Sequence, residues 1–382
     1  MFKNLIIFPI IVVLLVLATL PEIVSRFYYC ALYGSWPVSL YSAMEEGRKQ
    51  SAALFQEHSI LPFLLRPGTN VKFMDTHVIV NRKGFRGDEL RPDVTLKILA
   101  IGGSTTFDTG VDNNERTWCA QLEKLLSVQY PDVQVINGGL PVYGLGTNTI
   151  KYLLYDHLIE PDIVLIYQGF NDASPWWSKS LADIRCTDYW MYRGVASRAW
   201  SGLSGTIMHL PTPPVNVLTH SVFLLGAFNK RGENKNIFLS MDFAQRVEDI
   251  IPEYLMSENV KMLGYLISCI KKDGAIPIFV PQSIGTVERK TDIGIKREIM
   301  NQALLQLNKA YIDYCNKSDV KVIDVTSVTN SWKDDYFQDG VHFNNKGARE
   351  FALLLSREIE KGDKAILLRA KDHSGKLLCE SK

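Results

Sequence analysis

Short apolar runs of buried-strand length recur along the chain and alternate with stretches of helical periodicity. The apolar runs are Leu96–Ile101, Val133–Ile136, Ile163–Tyr167, Ala275–Val280 and Val320–Val325. The helical stretches are Thr117–Tyr130, Thr147–Leu158, Ala244–Lys272, Ile295–Asn316 and Lys346–Lys361. Strand–helix alternation of this kind indicates a parallel sheet with helices on both faces. We therefore predict an α/β fold, a three-layer α/β/α sandwich around a central parallel five-stranded sheet.

The N-terminal segment differs in character from the rest of the chain, because Leu5 to Leu20 is uncharged and almost wholly apolar. A membrane-spanning helix needs about 17–25 such residues, so this segment is near the lower limit. A cleaved signal peptide and a buried core helix are the alternatives. We predict that residues 1–26 are a membrane anchor or signal, and favour the anchor because no small-x-small cleavage site follows Leu20. Lys3 and the amino terminus then place the rest of the chain outside the cytoplasm.

The remaining chain divides into a juxtamembrane segment over residues 27–93, a main domain over 94–362 and a tail over 363–382. Strand–helix alternation is interrupted once, and we predict an insertion at 173–241, since a structureless loop of that length is improbable in a compact domain. Trp176 and Trp177 stand near the start of this insertion. Its aromatic residues either form a small core of their own or bind a sugar ring or an acyl chain.

Charge and cysteine usage exclude several classes of protein. Lys and Arg number 42 against 41 Asp and Glu, so no overall field attracts nucleic acid. The 6 cysteines are scattered, without the short Cys or His spacings of a zinc site. Cys119 and Cys269 are best interpreted as small core residues, and the sequence does not decide whether any cysteines pair. We expect no nucleic-acid partner, no metal and no cofactor.

Ser104 follows the first predicted strand directly, after Gly102 and Gly103. The carboxyl ends of parallel strands are where open α/β folds keep their sites. A serine there needs a base to become nucleophilic at neutral pH. His342 is the candidate base, and Asp339, three residues earlier, is the carboxylate that would orient it. This pattern predicts acyl transfer with Ser104 as the nucleophile.

Acyl transfer also needs hydrogen-bond donors for the oxyanion, and two other strand ends offer them. Gly139 would supply a backbone N–H, where the lack of a side chain permits close approach. Asn171 would supply its side-chain amide, and the Ser104 backbone N–H a third donor. Taken alone, Asn171-Asp172 is more typical of a helix cap or an Asx-turn. Its position at a strand end favours the oxyanion role.

These four blocks, in this order, resemble those of the SGNH (GDSL-like) hydrolase superfamily over about residues 96–360. The matching blocks are Gly102–Thr106, Asn137–Gly139, Gly169–Asp172 and Asp339–His342. The resemblance implies a flavodoxin-like SGNH fold in which the nucleophile, the two oxyanion donors, the base and its acid partner are Ser104, Gly139, Asn171, His342 and Asp339. The stretch Asn81–Gly87 is similar to a segment that precedes the serine in some bacterial members. Gly103 departs from the better-known pattern, which has Asp there.

The expected function is a membrane-anchored serine esterase that hydrolyses O-acyl esters, first of all of carbohydrates, through an acyl-enzyme. Lipid and thioester substrates remain open. The same site also suits an O-acyltransferase that modifies a cell-surface glycan together with a membrane acyltransferase partner. A non-catalytic binding protein on this fold is the third hypothesis, which the complete set of chemical positions disfavours. Trp176 and Trp177 are the candidate substrate-binding residues.

Overall fold

The structure is a computed structural model that describes residues 49–173, 253–285 and 297–362, together with Leu20, Ile23 and Val24. The strands are β1 (Phe55–Gln56), β2 (Leu64–Leu65), β3 (Asn70–Phe73), β4 (Thr76–Ile79), β5 (Leu96–Gly102), β6 (Val133–Asn137), β7 (Ile163–Gln168), β8 (Ile276–Pro281) and β9 (Lys321–Val322). The helices are α1 (Ser104–Phe107), α2 (Trp118–Leu126), α3 (Leu145–Leu154), α4 (Phe170–Ala173), α5 (Glu253–Lys272), α6 (Arg297–Lys317), α7 (Thr326–Thr329) and α8 (Asn345–Gly362).

A five-stranded sheet with the order β6-β5-β7-β8-β9 lies at the centre of the unit formed by the described residues from Gln50 onward. All of its neighbouring strands are parallel, as the sequence predicted. The last strand is shorter than the predicted run Val320–Val325, because only Lys321 and Val322 pair with β8. Asp324 Oδ1 accepts a hydrogen bond from the Thr326 N–H at 2.9 Å, and this local turn takes the chain away from the sheet edge.

Helices cover both faces of the sheet, as the alternation of elements predicted. Along β5, Ile98 and Ala100 face one layer, while Leu99 and Ile101 face the other. The first layer consists of α2 and α8, which contribute Trp118, Cys119, Leu122, Leu126, Ala348, Phe351, Ala352 and Leu355. The second consists of α3, α5 and α6, which contribute Leu145, Tyr152, Leu263, Leu266, Ile270, Leu304, Leu307 and Tyr311. Strands buried on both faces explain the continuous apolar runs in the sequence.

Helix α3 differs from the predicted stretch Thr147–Leu158 at both of its ends. It begins at Leu145, whose N–H is accepted by Asp172 Oδ1 at 2.7 Å. It ends at Leu154 and is followed by a 3₁₀ turn over Asp156–Ile159. Asp156 is buried in an ion pair with Lys151 at 2.6 Å, which draws the chain inward at this point.

Two hairpins precede the main sheet, one formed by β1 and β2 and the other by β3 and β4. The apolar side chains of the hairpins pack against Phe107, Leu140 and Tyr143. The hairpins therefore cover the turn that carries Ser104.

The predicted N-terminal segment 1–26, the insertion 173–241 and the tail 363–382 lie almost entirely outside the described residues. Within the ranges that are described, no helix is long and apolar enough to cross a membrane.

Candidate active site

Ser104 is the first residue of α1, and one residue, Gly103, separates it from the end of β5. Both glycines before it are required by close packing. A Cβ atom at Gly102 would collide with Thr106 Oγ1 and with the Tyr167 carbonyl, and one at Gly103 would collide with Asn171 Nδ2. The Asn171 amide thus fills the space that an aspartate side chain would need at position 103.

His342 reaches Ser104 from a loop at the start of α8. Phe337 and Phe343, both buried, pair across the base of this loop and fix its two ends. His342 Nε2 lies 2.7 Å from Ser104 Oγ, a hydrogen-bond distance. The structure therefore brings the predicted nucleophile and the predicted base into direct contact, although they are separated by 238 positions in the chain.

Asp339 extends the chain of hydrogen bonds that begins at Ser104. Its Oδ2 lies 2.7 Å from His342 Nδ1, and its Oδ1 accepts the backbone N–H groups of Val341 at 3.0 Å and His342 at 2.9 Å. Partial burial acts to raise the pKa of Asp339, but the hydrogen bond and charge of His342, with these two N–H groups, hold the pKa below its ordinary value. Asp339 stays ionised and keeps the histidine oriented, although its side chain is 53% exposed.

Asn171 stands on α4, directly after β7, with its amide beside the Ser104 turn. Its Nδ2 donates a hydrogen bond to the Tyr143 carbonyl at 2.9 Å, and this bond orients the amide. The neighbouring Asp172 takes the capping role instead, because its carboxylate accepts the Leu145 N–H at the start of α3. The sequence favoured the oxyanion role over a cap for this dipeptide, and the structure gives its two residues different environments.

Gly139 lies against the nucleophile helix, where a Cβ atom would collide with the Phe107 backbone nitrogen. The close approach predicted for this glycine is therefore present. Its N–H, however, donates to Asn137 Oδ1 at 3.1 Å. The N–H of Ser104, by contrast, has no acceptor among the residues that the structure describes. Of these two backbone donors, that of Ser104 is the one available in this conformation.

Val142 has a φ of 63°, and the sequence analysis did not predict it as part of the site. A β-branched residue in this left-handed region is a genuine outlier. The strained turn places the Tyr143 carbonyl where it accepts hydrogen bonds from Asn171 Nδ2 at 2.9 Å and Gln168 Nε2 at 3.0 Å. Backbone strain of this kind is concentrated at functional sites. Pro141 and Gly144 signal a turn here, but nothing in the sequence signals a left-handed valine.

The structure thus brings together Ser104, His342 and Asp339, with Gly139 and Asn171 on either side of the serine turn. Trp176 and Trp177 lie outside the described residues. The arrangement can transfer a proton from the Ser104 hydroxyl to an imidazole that is held in position by a carboxylate.

The sequence profile described as the GDSL-like Lipase/Acylhydrolase family matches residues 100–350, more than half of the chain. All four sequence blocks lie within this range. No curated protein matches the chain.

Solved structures similar to the chain include a lipase/acylhydrolase from Enterococcus faecalis, with 15% identity, coverage of 70% of this chain and 96% of that one, and a TM-score of 0.41. An acetylxylan esterase from Geobacillus stearothermophilus has 14% identity, coverage of 71% and 96%, and a TM-score of 0.41. A psychrotrophic esterase from a Pseudoalteromonas species has 13% identity, coverage of 69% and 97%, and a TM-score of 0.41.

Proposed function

Because the chain belongs to the GDSL-like lipase/acylhydrolase family and is a serine hydrolase that acts on ester bonds, we propose that Ser104, His342 and Asp339 are its catalytic residues. The observation that carries the proposal is the unbroken hydrogen-bonded chain Oγ–Nε2 and Nδ1–Oδ2, each link 2.7 Å long. A serine activated in this way attacks an ester carbonyl and forms an acyl-enzyme.

In the first half of the reaction, Ser104 Oγ bonds to the carbonyl carbon while its proton passes to His342 Nε2. The tetrahedral intermediate then collapses, and the protonated imidazole returns the proton to the departing alcohol oxygen. In the second half, His342 takes a proton from water, the resulting hydroxide attacks the acyl-enzyme, and Ser104 is released with its proton restored. Asp339 stabilises the imidazolium that forms in each half and is not itself protonated.

The negative charge on the substrate oxygen is stabilised by donors that surround the serine turn. The Ser104 N–H at the start of α1 is one, and the Asn171 amide beside Gly103 is the second. Gly139 is the third predicted donor, and it takes part when its N–H turns from Asn137 Oδ1 toward the substrate. Each such donor typically contributes a factor of about 10²–10³ in rate.

O-acyl esters of carbohydrates are the substrate class we favour. Trp176 and Trp177 follow Asn171 by five and six residues in the sequence. Aromatic side chains that follow a candidate oxyanion donor this closely in the sequence suit the apolar face of a sugar ring. Lipid and thioester substrates are the competing classes.

The location of the reaction is part of the proposal. The apolar segment Leu5–Leu20 supports a membrane anchor with the catalytic domain outside the cytoplasm. An esterase held there meets acylated glycans, and so does an O-acyltransferase that works with a membrane acyltransferase partner. The two functions share the acyl-enzyme and differ in whether water or a sugar hydroxyl accepts the acyl group.

Kinetics of the full-length protein in detergent would test the proposal with three substrates: acetylated xylooligosaccharides, p-nitrophenyl acetate and p-nitrophenyl octanoate. We expect acetate release from the first two, loss of this activity in Ser104→Ala, and full activity in Ser331→Ala, which removes an exposed serine whose hydroxyl donates to the Val328 carbonyl. Preference for octanoate would favour a lipid substrate, and transfer to an added sugar faster than hydrolysis would favour the transferase. Activity that persists in Ser104→Ala would contradict the proposal.

A further inference from the structure

Arg86 is a buried arginine, 2% exposed, whose guanidinium makes no ion pair with the described residues. Instead, Nη1 donates to the carbonyls of Phe107 at 2.8 Å and Asp108 at 2.9 Å, Nη2 donates to Thr76 Oγ1 at 2.7 Å, and Nε donates to Asn114 Oδ1 at 3.0 Å. Burial lowers the pKa of Arg86 to about 10, which leaves it charged at neutral pH. A buried cation is costly unless its donors are satisfied, and here neutral oxygens satisfy them.

The two carbonyls held by Arg86 belong to the far end of the nucleophile helix. Helix α1 has four residues, with Ser104 at its start and Phe107 at its end. The last carbonyls of a helix have no partner within the helix and carry its partial negative charge, so a guanidinium suits them. Because the Asp108 N–H bonds back to the Ser104 carbonyl at 2.8 Å, fixing this end of the single turn also fixes Ser104.

The backbone of the same residue reaches the second block of the site. Arg86 pairs with Asn137, the last residue of β6, in an isolated antiparallel bridge. The ring of the preceding residue, Phe85, lies 5.2 Å from Lys151 Nζ, which donates to the Gly138 carbonyl at 3.2 Å. One dipeptide therefore contacts the serine helix on one side and the Asn137–Gly139 block on the other.

Hydrogen bonds and a glycine fix the conformation of the turn that carries Arg86. Asn81 is buried, and its Oδ1 accepts the N–H groups of Lys83 and Phe85, each at 3.0 Å. Gly84 has a φ of 84°, which favours glycine at this position. Asn81 and Gly84 thus shape a turn that places Phe85 beside Lys151 and Arg86 beside the end of α1.

We propose that Arg86 is a positioning residue for catalysis, which acts by holding α1, and with it Ser104 Oγ, in register with His342 and the Asn137–Gly139 block. This inference rests on the proposed function. Displacements of about 1 Å at a reacting atom cost about 10²-fold in rate, so loss of the guanidinium fork would lower turnover without removing any group that touches substrate.

Steady-state kinetics of Arg86→Lys on p-nitrophenyl acetate, with circular dichroism and thermal melting to measure the folded fraction, would test this role. Lysine keeps the charge but cannot hold both carbonyls and Thr76 with one fork. We expect kcat per folded molecule to fall about 10²-fold with KM within about threefold, and fluorophosphonate labelling of Ser104 to slow by a similar factor. The matched control is Arg66→Lys, since exposed Arg66 also donates to two backbone carbonyls, those of Ala52 and Phe55, and neither belongs to α1 or to the Asn137–Gly139 block. We expect wild-type kinetics from it.

Thr76→Val keeps the test decisive if Arg86→Lys does not fold. It preserves side-chain shape and removes only the acceptor of Arg86 Nη2. We expect kcat to fall about threefold to tenfold at unchanged KM, in keeping with the loss of one charge-assisted hydrogen bond. Wild-type kcat in folded Arg86→Lys or in Thr76→Val would overturn the inference. A wild-type protein that neither hydrolyses esters nor reacts with fluorophosphonate would overturn the proposed function, and the inference with it.

Discussion

The two halves of the candidate triad are held in different ways. Ser104 lies on a turn whose neighbours Gly103, Thr105, Thr106 and Phe107 are all buried. His342 and Asp339 stand on a loop with side chains that are 22% and 53% exposed. The serine side is fixed by the close packing of its buried neighbours, whereas the histidine side is fixed at the base of its loop and by local hydrogen bonds around Asp339.

Because of this difference, substitutions on the two sides of one site should have different effects on stability and on catalysis. A change on the serine side disturbs packed atoms and should alter both folding and catalysis. A change on the histidine side removes a functional group from a solvated loop and should alter catalysis alone. The predictions below test this division.

The largest effect is expected for His342→Ala. Removing the base should lower kcat/KM for p-nitrophenyl acetate by about 10⁴-fold or more, because an unassisted serine hydroxyl is a weak nucleophile. The free energy of unfolding should change by less than about 1 kcal/mol, since the side chain is partly exposed. Kinetics and urea unfolding measure both. A strongly destabilised His342→Ala would break the comparison.

Gly103→Ala should lower kcat by about 10²–10³-fold, because the new Cβ would displace the Asn171 amide from its place beside the serine. Overpacking should also cost about 1–3 kcal/mol of stability, unlike the histidine change. The double variant with Asn171→Ala is the control. If displacement of the amide causes the loss, the double variant should be no slower than Asn171→Ala alone. Losses of kcat that add in the double variant would contradict this explanation.

Asp339→Asn should lower kcat by about 10²-fold, less than the ~10⁴-fold effect of a buried carboxylate in such a triad. The reason is that water partly replaces the exposed carboxylate as a partner of the imidazolium. Its free energy of unfolding near neutral pH should fall by less than about 1 kcal/mol, because water screens the charge interactions of the exposed Asp339 carboxylate. A loss as large as that of His342→Ala would show that the loop holds its histidine more rigidly than its exposure suggests.

Val142→Gly should stabilise the protein by about 1 kcal/mol, since relief of about 1–3 kcal/mol of left-handed strain exceeds the entropic cost of glycine. Val142→Ala retains a Cβ atom and is the matched control, for which we expect no such gain. Chemical denaturation of both variants measures the difference. Equal stabilities would show that the turn stores no strain at this position.

The last prediction concerns the pH dependence of stability through Asp108, which follows the last residue of α1. Burial raises the pKa of Asp108 to about 8, against the hydrogen bond from the Trp118 N–H and the charge of Arg86. The folded state therefore binds this proton more tightly than the unfolded state, where the pKa is about 3.9, so unfolding free energy should fall as pH rises from about 4 to about 8.

Asp108→Asn should flatten this slope, because asparagine has no proton to lose. Urea unfolding at several pH values would measure it. Asp339→Asn is the control from the histidine side. The depressed pKa of Asp339 contributes stability that is lost only as pH falls below the ordinary carboxylate range, so its removal should leave the slope between pH about 5 and about 8 unchanged. A slope that survives in Asp108→Asn would show that other buried groups govern it.

Much of the sheet could be predicted from the sequence, because strands that are buried on both faces consist of continuous apolar residues. Strands β5, β7 and β8 lie at such apolar runs. The hairpins β1 to β4 could not be predicted, since short, half-exposed strands have no distinctive period. The break in α3 after Leu154 was also missed, because it depends on the tertiary contact of Asp156 with Lys151.

The site residues divide in the same way. Ser104, His342 and Asp339 were predicted to lie together because acyl transfer requires such side chains at strand ends and loops, and the structure places the three in a row, each within hydrogen-bond distance of the next. The left-handed conformation of Val142 and the carbonyl contacts of Arg86 could not be predicted from the sequence. Backbone conformation and hydrogen bonds to carbonyls do not require particular residue types.

The most direct test of the central claim is fluorophosphonate labelling of the full-length protein in detergent, with Ser104→Ala and Ser331→Ala alongside. Covalent labelling requires a serine activated by its base. We predict stoichiometric labelling of the wild type and of Ser331→Ala, mapped to Ser104 by mass spectrometry, and none in Ser104→Ala. Labelling that persists in Ser104→Ala, or none at all in the folded wild type, would contradict the assignment of Ser104 as the nucleophile.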